Sequence, residues 1–215
     1  NWRTRTSSVV KRIPSRHAFV LTGTPLENRL DDLYSLMQVV DPHVFGPLWR
    51  FNERFTTLDD AGRPSGYRNL DALRALPYDI VDGDTRFVHA SPDHPPDWHY
   101  ILTEQEAWNA FEACPESVCF VGHSHVPLRV VLRRGRLVVV DGDVVEVGEE
   151  ERALLNVGSV GQPRDGDPRA AYALWDPGAR RMVARRLEYD LAKAARKIEE
   201  AGLPPILAKR LSIGQ

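Results

Sequence analysis

Cys119-Phe120-Val121-Gly122-His123-Ser124-His125 decides how this chain is to be read. Three apolar residues suit a buried strand, and the run stops at a glycine followed by two histidines one residue apart. Side chains two positions apart on extended backbone share a face, and the glycine keeps bulk away from the imidazoles. The loop therefore offers two nitrogen ligands, unless both histidines are ordinary polar loop residues. Upstream, Thr85-Arg86-Phe87-Val88-His89-Ala90-Ser91-Pro92 has the form of a second short strand that delivers His89 at its exit, with Pro92 ending it. Three histidines at strand ends are expected to converge.

Downstream, Leu155-Asn156-Val157-Gly158-Ser159-Val160-Gly161-Gln162-Pro163-Arg164 leads into the apolar run Ala171-Tyr172-Ala173-Leu174-Trp175. With His-Ala-Ser-Pro, Gly-His-Ser-His and Asn-x-Gly-Ser-x-Gly-Gln-Pro-Arg in that order, residues from about 76 to 215 resemble the C-terminal part of calcineurin-like metallophosphoesterases, particularly the small bacterial phosphodiesterase-like branch. Arg186-Leu187-Glu188-Tyr189-Asp190, followed by a helix ending at Ala201-Gly202-Leu203-Pro204, fits the same branch. The resemblance implies a two-metal site of manganese, zinc or iron type, in which a bridging hydroxide attacks the phosphorus of a monoester or diester substrate. On the matching positions it implies His89 and His123 as ligands of one ion and His125 as a ligand of the other.

The resemblance also implies partners from an N-terminal half, in the series Asp-x-His, Gly-Asp, Gly-Asn-His. That series is not found ahead of His89. Gly83-Asp84 and Gly142-Asp143 carry the right letters in the wrong places and are read as turns. Without a bridging aspartate, two adjacent cations repel with little to offset them. The expectation is therefore one weakly held divalent ion on His89 and His123, with Asp93, His94 or His99 as local help, and weak or no hydrolysis. Pro92-Asp93-His94-Pro95-Pro96-Asp97 is itself expected to be a solvated, proline-stiffened loop.

The N-terminal third begins differently. Phe19-Val20-Leu21 runs into Thr22-Gly23-Thr24-Pro25-Leu26-Glu27-Asn28, after which Leu30, Leu33, Leu36, Met37 and Val40 fall at helical spacing until Asp41-Pro42. With Asp32-Leu33-Tyr34-Ser35-Leu36 and Phe45-Gly46-Pro47, residues from about 1 to 73 resemble the first motor lobe of Swi/Snf-type helicase-like ATPases. No Gly-x-x-x-x-Gly-Lys-Ser/Thr loop is present to cradle the phosphates of ATP, so ATP hydrolysis is not expected. The basic cluster Arg3, Arg5, Lys11, Arg12 and Arg16 is read as the solvated face of a helix, and a net charge of −2 gives no case for nucleic acid as a partner.

The two resemblances meet between Gly66 and Leu76 with no glycine-serine linker, which places the domains at 1–73 and 74–215 and marks a chimera or fragment. The expected fold class is α/β: an incomplete metallophosphoesterase-type β-sandwich with flanking helices, preceded by a mainly helical fragment of a helicase motor lobe. Helices are expected near 4–11, 30–40, 70–76, 103–113 and 191–201, the fourth opened by a Thr103…Glu106 capping box. Strands are expected at 128–133, 136–140, 144–147, 153–157, 171–175 and 182–187, in a largely antiparallel sheet punctuated by Gly135, Gly142 and Pro177-Gly178.

A chain of 215 residues at 42% hydrophobic content can bury one core or two small ones. Only Cys114 and Cys119 are present, so no disulfide framework is implied and a reducing cytoplasm is the expected location. No apolar span or signal pattern points to a membrane. Loss of half a sandwich predicts an exposed apolar face and self-association. Three functional readings follow: a metal-dependent phosphoesterase of low activity, a fragment of a DNA-dependent ATPase, and a non-catalytic chimera.

Overall fold

The computed structural model describes residues 77–215 continuously, together with 47–60, 64–69, Tyr34 and Asp71. The helix expected at 4–11, the turn at 22–28 and the basic cluster lie outside the described residues, as do the helices expected at 30–40 and 70–76 apart from Tyr34 and Asp71, which are helical. The chain divides into two compact units, residues 1–77 and 78–215.

In the first unit, helix α1 (Leu48–Phe55) follows Pro47. Its Phe51 and Phe55 sit one turn apart and are buried, with ring centroids 5.0 Å from each other and Tyr34 5.3 Å from Phe51. Strands β1 (Thr56–Leu58) and β2 (Pro64–Tyr67) form an antiparallel hairpin that the expectation of a mainly helical fragment did not include.

The second unit is built on a six-stranded sheet. It comprises β3 (Asp79–Asp82), β4 (Thr85–Val88), β5 (Val118–Val121), β6 (Leu128–Arg133), β7 (Arg136–Val139) and β9 (Arg152–Asn156), in the order β3-β4-β5-β9-β6-β7. Its centre differs from the antiparallel expectation, because β4, β5 and β9 run parallel while β3, β6 and β7 add antiparallel edges. Parallel strands are covered on both faces and read as continuous apolar runs, and all four residues of β5 are buried. A second, antiparallel sheet of order β10-β11-β8 joins Ala170–Asp176, Arg181–Leu187 and Val144–Glu146.

The two faces of β5 divide the core. Cys119 and Val121 pack with Val88, Val130 and Leu154 against Ala107, Ala110 and Phe111 of helix α2 (Glu104–Ala113). Phe120 points the other way, stacked on Phe87 at 5.2 Å and edge-on to Trp175 of β10 at 5.7 Å, so the small sheet meets the large one there. The indole N–H of Trp175 donates to Thr85 Oγ1 at 3.3 Å, satisfying its polar end at the same contact.

Helix α2 starts with the expected capping box: Thr103 Oγ1 accepts from Glu106 N, and the Glu106 carboxylate accepts from Thr103 N. At its other end Arg152 of β9 donates to the carbonyls of Phe111 and Cys114, groups that have no partner within the helix. Helix α3 (Leu191–Glu200) ends in a Schellman turn, where Gly202 at φ +71° donates to Glu199 O and Leu203 N donates to Ile198 O. Helix α4 (Pro205–Ile213), which opens on a proline, was not anticipated. Its last turn closes on the 166–167 loop, with Gly166 N donating to Gly214 O at 2.9 Å.

Candidate functional site

Because β4, β5 and β9 are parallel and adjacent, their C-terminal ends open on one edge of the sheet. His89 leaves β4 there, Gly122–His125 leave β5, and Asn156–Gly158 leave β9. Ligand sites in α/β sheets collect at such edges because the loops, not the core, carry variable side chains. Gly122 N donates to His89 O at 2.8 Å, continuing the β4–β5 pairing into the site.

The Gly-His-Ser-His loop is not extended, as its spacing suggested. His123 and His125 have φ of 64° and 63°, the left-handed region that non-glycine residues enter at a cost of about 1 kcal/mol each. Ser124 N donates to Gly122 O at 2.7 Å across His123, a three-residue turn, and Ser124 Oγ accepts from Val126 N at 3.2 Å. Asn156, 3% exposed, fixes the arrangement from the neighbouring strand. Its amide nitrogen donates to Gly122 O at 2.8 Å and to Ser124 Oγ at 3.0 Å, while its amide oxygen accepts from Gly158 N. The sheet thus holds two strained histidines in fixed orientations, the kind of strain that collects at functional sites.

His89 and His123 come together, with Nε2 of the first 3.2 Å from Nδ1 of the second. The contact is a hydrogen bond between the two rings, and its length is also close to the ~3.3 Å that separates two imidazole nitrogens bonded at ~2.0–2.1 Å to one tetrahedral ion. His89 Nδ1 is buried without a hydrogen-bond partner. Burial first, then the neighbouring His123 and His125, lowers the His89 pKa to about 4, so the ring is neutral and its lone pair is available at ordinary pH. His123 is lowered by burial, His125 and Arg164. His125 is turned toward a different partner, its Nδ1 donating to Gln162 O at 2.8 Å. Burial, Arg164 and Arg210 lower its pKa against an opposing contribution from that hydrogen bond. A histidine whose Nδ1–H is tied to a carbonyl presents Nε2 as its free lone pair.

Among the described residues no group of three or more His, Cys, Asp or Glu side chains comes together as a metal cage. Two facing nitrogens, with no carboxylate of the described residues beside them, fall short of such a cage. Asp93 and His94 pair with each other at 3.0 Å, and His94 is exposed. Asp97-Trp98-His99 spells Asp-x-His out of order, and its two ends sit 3.9 Å apart on the surface. Gly83 and Asp84 form a turn, as expected of them, here between β3 and β4, and Asp84 accepts from Ser117 N. Gly142, at φ +93°, likewise falls between strands, with Asp143 beside it.

Sequence reasoning missed the aromatic cover of the pair. Trp98 packs on both rings, with centroids 5.0 Å from His89 and 5.7 Å from His123, and Tyr100 stacks on His123 at 4.2 Å. These residues border an open pocket of about 520 Å³ that also involves Asp93, His99 and Asn109. No motif marks Trp98 and Tyr100, since they reach the site from an irregular segment after the 3-10 turn Pro95–Asp97.

A parallel-centred sheet with histidine loops at its carboxyl edge, backed by a small antiparallel sheet, places this unit in the α/β class. The likeness to known proteins makes this specific. The chain is 34% identical to a metallophosphoesterase from Sphaerobacter thermophilus of known structure, with a TM-score of 0.65 over 87% of this chain and 83% of that one. A hypothetical protein from Pyrococcus horikoshii shares the fold at a TM-score of 0.50, with 23% identity over 67% of this chain and 54% of that one. An uncharacterised protein of Methanocaldococcus jannaschii is 36% identical over 154 residues, 68% of this chain, and the match spans 60% of that relative's length. Residues 1–75 match the SNF2-related domain family. The chromatin-remodelling factor PICKLE of Arabidopsis thaliana is 39% identical over 77 residues, 34% of this chain and 6% of that protein. In its larger part the chain belongs to the calcineurin-like metallophosphoesterases, and that part is joined to a fragment of a Swi/Snf-family ATPase.

Proposed function

We propose that residues 78–215 act as a phosphoesterase-like domain that seats one divalent cation on His89 and His123 and turns over phosphate esters slowly at best. The facing nitrogens at 3.2 Å carry this reading. A cation there would supply Lewis-acid polarisation of a phosphoryl oxygen. The protein's own contribution is orientation: Asn156 and Ser124 fix the loop, Trp98 and Tyr100 limit water at the rings, and burial disfavours protonation of the imidazoles. Low turnover follows from the ligand count, because two nitrogens hold an ion far less firmly than three or four ligands do.

Hydrolysis of bis(p-nitrophenyl) phosphate with manganese, compared between the parent chain and the His89→Ala, His123→Ala double variant, tests the proposal. A slow metal-dependent rate that the double variant loses is expected. Equal rates in the two proteins would reject a phosphoesterase role. The SNF2-related match supports a second reading, a piece of a DNA-dependent ATPase. DNA-stimulated ATP turnover would be its signature, and none is expected from a chain without a phosphate-cradling glycine-lysine loop.

A further inference from the structure

We propose that Arg164, held beside His125, forms an anion seat that binds the phosphate group of a ligand directly and without a metal. The inference rests on the phosphoesterase reading for the kind of ligand but not for the seat itself, which follows from charge and hydrogen bonding.

Gln162 organises the seat with both of its polar ends. Its backbone carbonyl accepts from His125 Nδ1 at 2.8 Å, and its side-chain Oε1 accepts from Arg164 Nη2 at 3.0 Å. Arg164 N donates to His125 O at 3.3 Å, so ring and guanidinium are tied to each other through one short segment. Yet the guanidinium is not neutralised. Arg164 Nε is buried with no hydrogen-bond partner, and among the described residues no carboxylate pairs with this side chain.

The acids nearest in sequence are engaged elsewhere. Asp165 accepts from Arg186, and Asp167 accepts from Arg169 at 2.7 Å and lies 3.8 Å from Arg186. A partly buried fork of N–H donors with unspent hydrogen-bonding capacity and uncompensated positive charge suits a tetrahedral oxyanion, which arginine can meet with two parallel bonds. Carboxylate ligands would suit a cation, and here they are directed away.

Calorimetric titration of EDTA-treated protein with inorganic phosphate tests the seat. Saturable binding is expected in the parent chain, weakened about 10-fold or more by Arg164→Met. Arg164→Lys keeps the charge but not the fork, and about 3-fold weakening is expected of it. The lysine variant also decides the matter if the methionine variant fails to fold. Unchanged affinity in either folded variant, or phosphate binding that appears only when manganese is added, would overturn the seat. Phosphate binding without metal alongside equal ester hydrolysis in the parent and His89/His123 variants would instead leave the seat standing and reject the phosphoesterase reading.

Discussion

At the residue scale the site is held by conformations that its side chains do not favour. His123 and His125 sit at positive φ because Asn156 and the short turn at Gly122–Ser124 hold them there. Glycine accepts that backbone without a Cβ penalty, so His123→Gly is expected to be more stable than His123→Ala by about 1 kcal/mol, the reverse of the order on ordinary backbone. Thermal unfolding of the two variants measures the difference, and an alanine variant as stable as the glycine one would remove the strain argument. The His89 ring carries a pH signature. Its pKa falls from 6.5 to about 4 on folding, so the unfolded chain binds the extra proton between those values. Stability is then full above pH 6.5, declines as the pH falls toward 4, and changes no further below that on account of this group. His89→Gln should flatten the decline in urea midpoint across that window, and a slope equal to that of the parent chain would contradict it.

At the element scale, strands and helices that depend on local signals were legible. The strands from Leu128 to Leu187 follow the glycine-punctuated apolar alternation, and α2 starts where Thr103 and Glu106 announce it. Thr103→Ala removes one side of that box and should cost about 1 kcal/mol, read from the denaturant midpoint; no loss would mean that Arg152 and the core hold α2 without its cap. What was not legible is non-local. The parallel β4–β5–β9 centre pairs residues more than thirty positions apart, and nothing within each run states its neighbour's direction. Strand β3 was missed because only Ile80 and Val81 are apolar between two aspartates. The site divides in the same way. The histidines are visible in their motif, whereas the turn of His125 toward Gln162 and the arrival of Trp98 depend on where other loops end.

At the scale of the whole molecule, both edges of the six-stranded sheet present apolar side chains. Ile80 and Val81 on β3 are about half exposed (51% and 49%), and Val139 on β7 is 68% exposed. Unpaired edges with apolar residues pair with other copies unless charge intervenes. A shift to larger species with rising concentration is expected in size-exclusion chromatography with light scattering, and Val139→Lys should reduce it. A single mass across the whole concentration range would reject edge pairing. Among the described residues no helix is long and apolar enough to cross a membrane.

The three parallel strand ends also make this chain a natural substrate for loop engineering. His89, Gly122–His125 and Asn156–Arg164 hang from separate strands, while the side chains that stabilise the sheet lie behind them. A designer could place a carboxylate at partly exposed Val126, or exchange the 98–100 segment, without altering a core residue. The same separation lets drift at this edge add or remove a chemistry while the fold beneath persists.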